Sequence, residues 1–151
     1  MLSDTGNHSP DQLTRVAASR SRDAAAGCCC DVESWASSDG EILVVRVSGE
    51  LDMLTHPIVA AMLAEAVSRA PRHLVVDLAA MTFCCARGFA LLAETALAAA
   101  TQDVAFVLSG LTAHHHRVAT MLLPDLGVIR FRSVADAVTA IRIDDTYRQT
   151  E

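Results

Sequence analysis

Cysteines and histidines occur in unusual runs in this chain. Thiols stand at Cys28-Cys29-Cys30 and Cys84-Cys85, and imidazoles at His114-His115-His116. These groups serve metal sites, nucleophilic hydrolases and redox switches. Spacing decides among those uses. Successive strand side chains point to opposite faces, so three adjacent cysteines on a strand do not converge on one ion. No C-x-x-C spacing exists. On a helix, neighbouring residues lie about 100° apart, so at most two of the three histidines reach one metal. No metal and no other cofactor is expected. The histidine run reads as a solvated helix face, with metal binding or pH sensing as the alternative.

Cys84 and Cys85 are too close to bond to each other. Adjacent Cα atoms lie about 3.8 Å apart, short of the usual disulfide span. A cysteine hydrolase would also need a base and an oxyanion loop. Asp77 reads as a strand-end residue, and no glycine-rich loop accompanies the thiols. G-x-G-x-x-G and Walker-type sequences are absent as well. The expectation is a protein that is not an enzyme.

What remains is the junction that carries the thiols. A buried-looking strand, His73 to Leu78, leads into Met81-Thr82-Phe83-Cys84-Cys85-Ala86-Arg87-Gly88-Phe89, which opens an apolar helix. Such junctions present loop groups and helix amides at the surface. Cys85 at the helix start would favour a thiolate, and Arg87 would add to that. The other reading makes both thiols small, partly buried hydrophobes. Arg87 opposes the helix dipole, which an acidic partner or a bound anion would offset. Alternatively its long side chain bends into water. The junction is expected to be a binding surface.

Composition narrows the partner. The 151 residues are 52% hydrophobic and only 4% aromatic, enough for one core of Ala, Val, Leu and Met. The formal charge is −6 with scattered basic residues, which argues against nucleic acid and anionic membranes. The start, Met1-Leu2-Ser3-Asp4, lacks an apolar signal segment. The longest apolar stretch, Phe89 to Ala100, is interrupted by Glu94 and is too short to span a bilayer. Five cysteines in two contiguous clusters do not make a secreted disulfide framework. A cytoplasmic chain with reduced thiols is expected.

The elements that position the junction follow from periodicity and breakers. Residues 1–27 read as a disordered tail, with a short helix from Leu13 through Ala26 as an option. Residues 28–142 form the domain, and 143–151 fray. Strands are expected at Cys28–Ala36 and Glu41–Ser48, joined by the turn Ser37-Ser38-Asp39-Gly40. A helix capped by Thr55 follows, with Pro57 in its first turn. Then come the strand His73–Leu78, a helix Arg87–Ala100 and a strand Val104–Leu108. A helix Ala113–Leu122, a strand Val128–Phe131 and a helix begun by Ser133 and Asp136 complete the order. This is an α/β fold: an N-terminal hairpin, then alternating β-α units, with a mixed sheet of about five strands and helices mainly on one face.

At this point the chain resembles the STAS domain of bacterial anti-sigma-factor antagonists. Val47-Ser48-Gly49-Glu50-Leu51-Asp52 is similar to one family motif. Leu74-Val75-Val76-Asp77-Leu78 with Phe83-Cys84-Cys85-Ala86-Arg87-Gly88-Phe89 is similar to the other. Val107-Leu108-Ser109-Gly110 and Phe131 to Ala137 also fit, so the likeness runs over about residues 30–142. The resemblance implies a non-enzymatic transcription regulator that docks on an anti-sigma factor or a related kinase-like ATPase domain. In that family, phosphorylation of a motif serine abolishes docking. Here the family's aspartate falls on Cys85, its acceptor serine on Ala86, and the next hydroxyl on Arg87. Ala86 has no oxygen to phosphorylate, so the off-switch is expected to be lost, and Thr82 is the nearest substitute acceptor. The docking surface implied is Glu50, Asp52, Thr55, Thr82, Cys84, Cys85, Ala86, Arg87 and Gly88. Alternatives are redox gating through Cys85 with Cys84, a different protein partner, self-association as a homodimer, or a small ligand.

Overall fold

A computed structural model of the chain describes residues 14–23, 28–37, 40–122 and 128–150. The element order is β1 (Thr14–Asp23), β2 (Cys28–Ser37), β3 (Gly40–Leu51), α1 (His56–Ser68), β4 (His73–Asp77), β5 (Met81–Cys84), α2 (Ala86–Thr101), β6 (Ala105–Ser109), α3 (Ala113–Leu122), β7 (Ile129–Phe131) and α4 (Val134–Gln149). One mixed sheet runs β1-β2-β3-β4-β6-β7, with β5 also paired to β3. β1, β2 and β3 are antiparallel, and the remaining pairings are parallel.

Alternation in β3 splits the core in two. Leu43, Val45 and Val47 face one side, where Val59 and Leu63 of α1, Phe89 and Leu92 of α2 and Ala119 of α3 pack. Ile42 and Val44 face the other, against Ala137 and Ile141 of α4. The central strand β4 feeds both layers, Leu74 and Val76 to the first and Val75 to the second. A strand buried on both faces needs this continuous apolar run. Three helices thus lie on one face and one on the other, as the β-α alternation led one to expect.

Three sequence expectations need correction. Thr14–Asp23 belongs to a paired edge strand rather than a tail or helix. An edge strand is held by ladder hydrogen bonds and needs no alternating apolar face, so periodicity misses it. The expectations for residues 1–13 and 24–27, and for Ser38 and Asp39 of the turn, lie outside the described residues. At the other end α4 continues to Gln149 instead of fraying after Arg142. Arg148 pairs with Asp144 one turn earlier at 3.1 Å, which supports that last stretch. Finally, Met81–Cys84 is a strand, not a loop.

The histidine run is also resolved by helix phase. His114 and His116 are exposed, but His115 is buried with its ring edge-on to Phe89 at 6.2 Å. The run is therefore not a uniformly solvated face. Burial, and then the charge of His114, holds the His115 imidazole below its ordinary value of 6.5. A depressed histidine contributes stability that is present above 6.5 and lost as pH falls through the native pKa. His115→Leu is accordingly expected to flatten the decline in Tm between neutral pH and about pH 5, as read by thermal melts across that range.

Candidate partner-docking site

The site is assembled at the C-terminal end of β3. β4 pairs with Ile42–Arg46, and β5 takes the same edge further along, opposite Gly49–Leu51. The register shifts by one residue at Thr82: Gly49 faces Met81, but Glu50 faces Phe83. This bulge breaks the alternation, so Thr82 and Phe83 are both exposed in succession. The Cys85 amide donates to the Leu51 carbonyl at 2.9 Å, tying the start of α2 to the end of β3. The Cys85 carbonyl accepts from Gly88 and Phe89 and so begins the helix. Ala86 and Arg87 stand exposed in its first turn.

The neighbouring turn is pinned by its own side chains. Asp52 Oδ1 accepts from the amides of Leu54 at 2.9 Å and Thr55 at 3.0 Å. Thr55 is fully buried; its hydroxyl donates to the Glu50 carbonyl at 2.7 Å and accepts from the Asp52 amide at 2.9 Å. Thr55 was expected to cap α1 through its side chain. That hydroxyl is instead committed backwards to the turn, and the helix has no side-chain cap. The consequence lies at the surface: Met53 is 62% and Leu54 77% exposed, and Phe83, the strand residue paired with Glu50, is 49% exposed. Sequence reasoning missed these three apolar residues. The signal available was two large apolar side chains directly after an Asp-led turn.

Hydrogen bonds from the Thr55 amide first, and from Leu54, hold the Asp52 carboxyl below its ordinary value of 3.8. Stability from a depressed carboxylate is present above that value and lost as pH falls through the native pKa. Asp52→Asn is therefore expected to lower Tm at neutral pH and to differ less from wild type at an acidic pH below 3.8. Parallel melts at the two pH values test this.

The two thiols differ in setting. Cys84 lies against Gly88 and Leu51, and its Sγ donates to the Cys85 carbonyl at 3.5 Å. Burial, and then Cys85, pushes its pKa up to about 12. A raised thiol pKa disfavours the thiolate that nucleophilic and redox chemistry use. Cys85 is half-buried at the N-cap of α2 and makes no side-chain cap bond. Cys84 and Cys85 are free thiols. Among the described residues, no three His, Cys, Asp or Glu side chains converge as a metal site. Among them too, no helix is long and apolar enough to cross a membrane.

Asp77 is structural. Oδ1 accepts from the Ala79 amide at 3.1 Å and the Ser109 hydroxyl at 3.4 Å, and Oδ2 faces Arg46 at 3.4 Å. It clamps the ends of β4 and β6.

A mixed sheet, an N-terminal antiparallel extension and a helix start exposed at Ala86 and Arg87 define an α/β domain. The chain belongs to the STAS domain family: the family model described as Mlab, STAS domain matches residues 35–123. Among solved structures it is similar to an anti-sigma factor antagonist from Mycobacterium paratuberculosis. The two are 28% identical over 80% of this chain and 99% of that one, with a TM-score of 0.66. It shares the fold of the anti-sigma factor antagonist SpoIIAA in its unphosphorylated form (16% identity, 67% and 89% coverage, TM-score 0.55). It shares it also with a chain of the stressosome, a signal integration and transduction hub (18% identity, 72% and 95% coverage, TM-score 0.57). No curated protein matches the sequence.

Proposed function

We propose that this protein is an anti-sigma factor antagonist that acts by docking, not by catalysis, on an anti-sigma factor with a kinase-like ATPase domain. The observation that supports it most is the exposure of three large apolar residues, Met53 and Leu54 on the turn after β3 and Phe83 on β5, the strand that leads into the helix start at Ala86 and Arg87. Apolar anchors beside a cation are what an interface core is built from. The likeness to the mycobacterial antagonist covers 80% of this chain. Ala86 stands where the resemblance places the phospho-acceptor, so kinase activity does not release this protein from its partner. Thr82 sits on the bulged strand β5 instead of the helix start and does not replace that acceptor. The net charge of −6 leaves nucleic acid and anionic membranes unfavoured as partners.

The test is calorimetric titration of the full chain with purified anti-sigma factors of the ATPase-kinase type from the same organism, with and without Mg-ATP. The expected result is a saturable complex with the same Kd in both conditions. Loss of affinity on incubation with ATP overturns the constitutive reading. Failure to bind any such factor overturns the partner class.

A further inference from the structure

Helix α3 is fastened to the domain by a titratable group. The helix buries two side chains, His115 and Ala119, while Val118 is only partly buried. Ala119 offers a single methyl group. The large anchor is therefore an imidazole, 7% exposed, where an aliphatic side chain would pack without a polar atom. Its Nδ1 has no hydrogen-bond partner among the described residues. A buried polar atom left unsatisfied costs stability that a leucine there would not lose.

The ring is held between two helix starts. The Thr112 hydroxyl accepts from the His115 amide at 3.1 Å, and the Thr112 carbonyl accepts from the His116 amide at 2.8 Å, which sets the first turn of α3. Across the contact the ring meets Phe89 of α2 edge-on at 6.2 Å. Phe89 is 1% exposed, and its amide donates to the Cys85 carbonyl at 3.2 Å, in the turn that carries Ala86 and Arg87. Phe89 thus joins His115 to the start of the docking helix. Charged groups on the two helices are few. On α3, the His114 ring lies 5.6 Å from that of His115, and His116 and Arg117 are exposed. On α2, Arg87 and Glu94 are exposed. Of these, His114 is the one whose charge bears on the ring, and it disfavours a second cation.

We infer that His115 regulates docking as a proton-sensitive strut: neutral, it holds Phe89 and with it the start of α2; protonated, it leaves the core, and the surface at Ala86, Arg87 and Gly88 loosens. This inference rests on the docking reading given above. A cationic imidazole in an apolar core is disfavoured unless it is paired, so the proton and the packed ring exclude each other. Burial, and then His114, holds the packed ring below its ordinary value of 6.5. A ring released into water returns to that value, so acid favours the released state. Docking requires the packed state. Affinity is therefore full above 6.5 and falls as pH drops through the native pKa. By reciprocity, a bound partner lowers the pKa of His115 further.

An NMR titration of the full chain from about pH 8 to about pH 5 tests the strut without a partner, by following the His115 ring and the amides of Arg87, Gly88 and Phe89. The amides are expected to shift together with the ring, at one midpoint below 6.5, and to lose that step in His115→Leu. His114→Gln should move the midpoint up toward 6.5, and it keeps the test decisive if His115→Leu fails to fold. Calorimetric docking on the anti-sigma factor is then compared at neutral pH and at about pH 5. The wild-type Kd should rise about tenfold in acid, an ordinary size for coupling between sites. In His115→Leu the rise should be much smaller. Amides that stay still while the ring titrates, or an equal rise of Kd in His115→Leu, overturn the strut and leave the docking reading intact. Absence of binding at neutral pH overturns the docking reading instead, while the NMR titration still decides whether the proton moves the helix start.

Discussion

Ala86→Glu is expected to abolish docking on the anti-sigma factor while leaving the domain at least as stable as wild type. Ala86 is the first residue of α2 and is exposed, so no core contact is lost. A carboxylate in the first turn also favours the helix dipole, by about 0.3–1 kcal/mol. At the interface the same group is a desolvated charge facing a surface shaped around a methyl group. Unpaired interfacial charges cost about 2–5 kcal/mol. The expected loss of affinity is therefore about 100-fold or more, each decade being about 1.4 kcal/mol. Calorimetric titration and a thermal melt on the same preparation separate the two effects. Ala86→Ser is the companion variant: it should bind as wild type and become sensitive to ATP where the partner's kinase accepts it. Wild-type affinity in Ala86→Glu would show that the helix start lies outside the interface.

The second large effect is expected at Gly88, for stability. A Cβ built there would lie 2.7 Å from Cys84 Sγ and 2.8 Å from Leu51 Cγ, distances that real contacts do not show. Leu51 is fully buried and has nowhere to move. Alanine brings a helix-propensity gain of about 1 kcal/mol, against overpacking of about 1–3 kcal/mol. Gly88→Ala is thus expected to be mildly destabilising. Gly88→Val gains less propensity and clashes more, for a loss of about 3 kcal/mol, near the upper end of overpacking costs. The clash would push α2 off β3 and break the Cys85–Leu51 hydrogen bond, so docking should weaken too. Urea melts give the stability change. Adding Cys84→Ala to Gly88→Ala should recover part of the loss, since it removes the nearer of the two atoms. Strict additivity of the two single changes would show that Sγ is not the obstacle.

The cysteine pair shows how far residue types carry. Adjacent thiols at a helix start read equally as a redox sensor or as small hydrophobes. The structure separates them: Cys84 is packed against Gly88 with its pKa pushed up by burial, while Cys85 stays half-exposed at the cap. The fold places the chain direction, with its bulge at Thr82, so that the two side chains part. Neither the bulge nor the pinning of Asp52 by its own turn is a periodic signal. Both depend on the register between β3 and β5.

Apolar periodicity located the helices, though not the end of α4, together with the doubly buried strand His73–Leu78 and a helix start at Arg87, one residue after the observed start at Ala86. Those features depend on contacts between near neighbours in the chain, or on one face meeting one core. The missing hydroxyl at Ala86 is equally a property of the sequence. Only the tertiary structure decided the rest. It turned the middle histidine, His115, onto Phe89, because helix phase against a neighbouring helix sets which of three identical residues is buried. It added β1 and β5, whose order comes from ladder hydrogen bonds to β2 and β3, not from an apolar face.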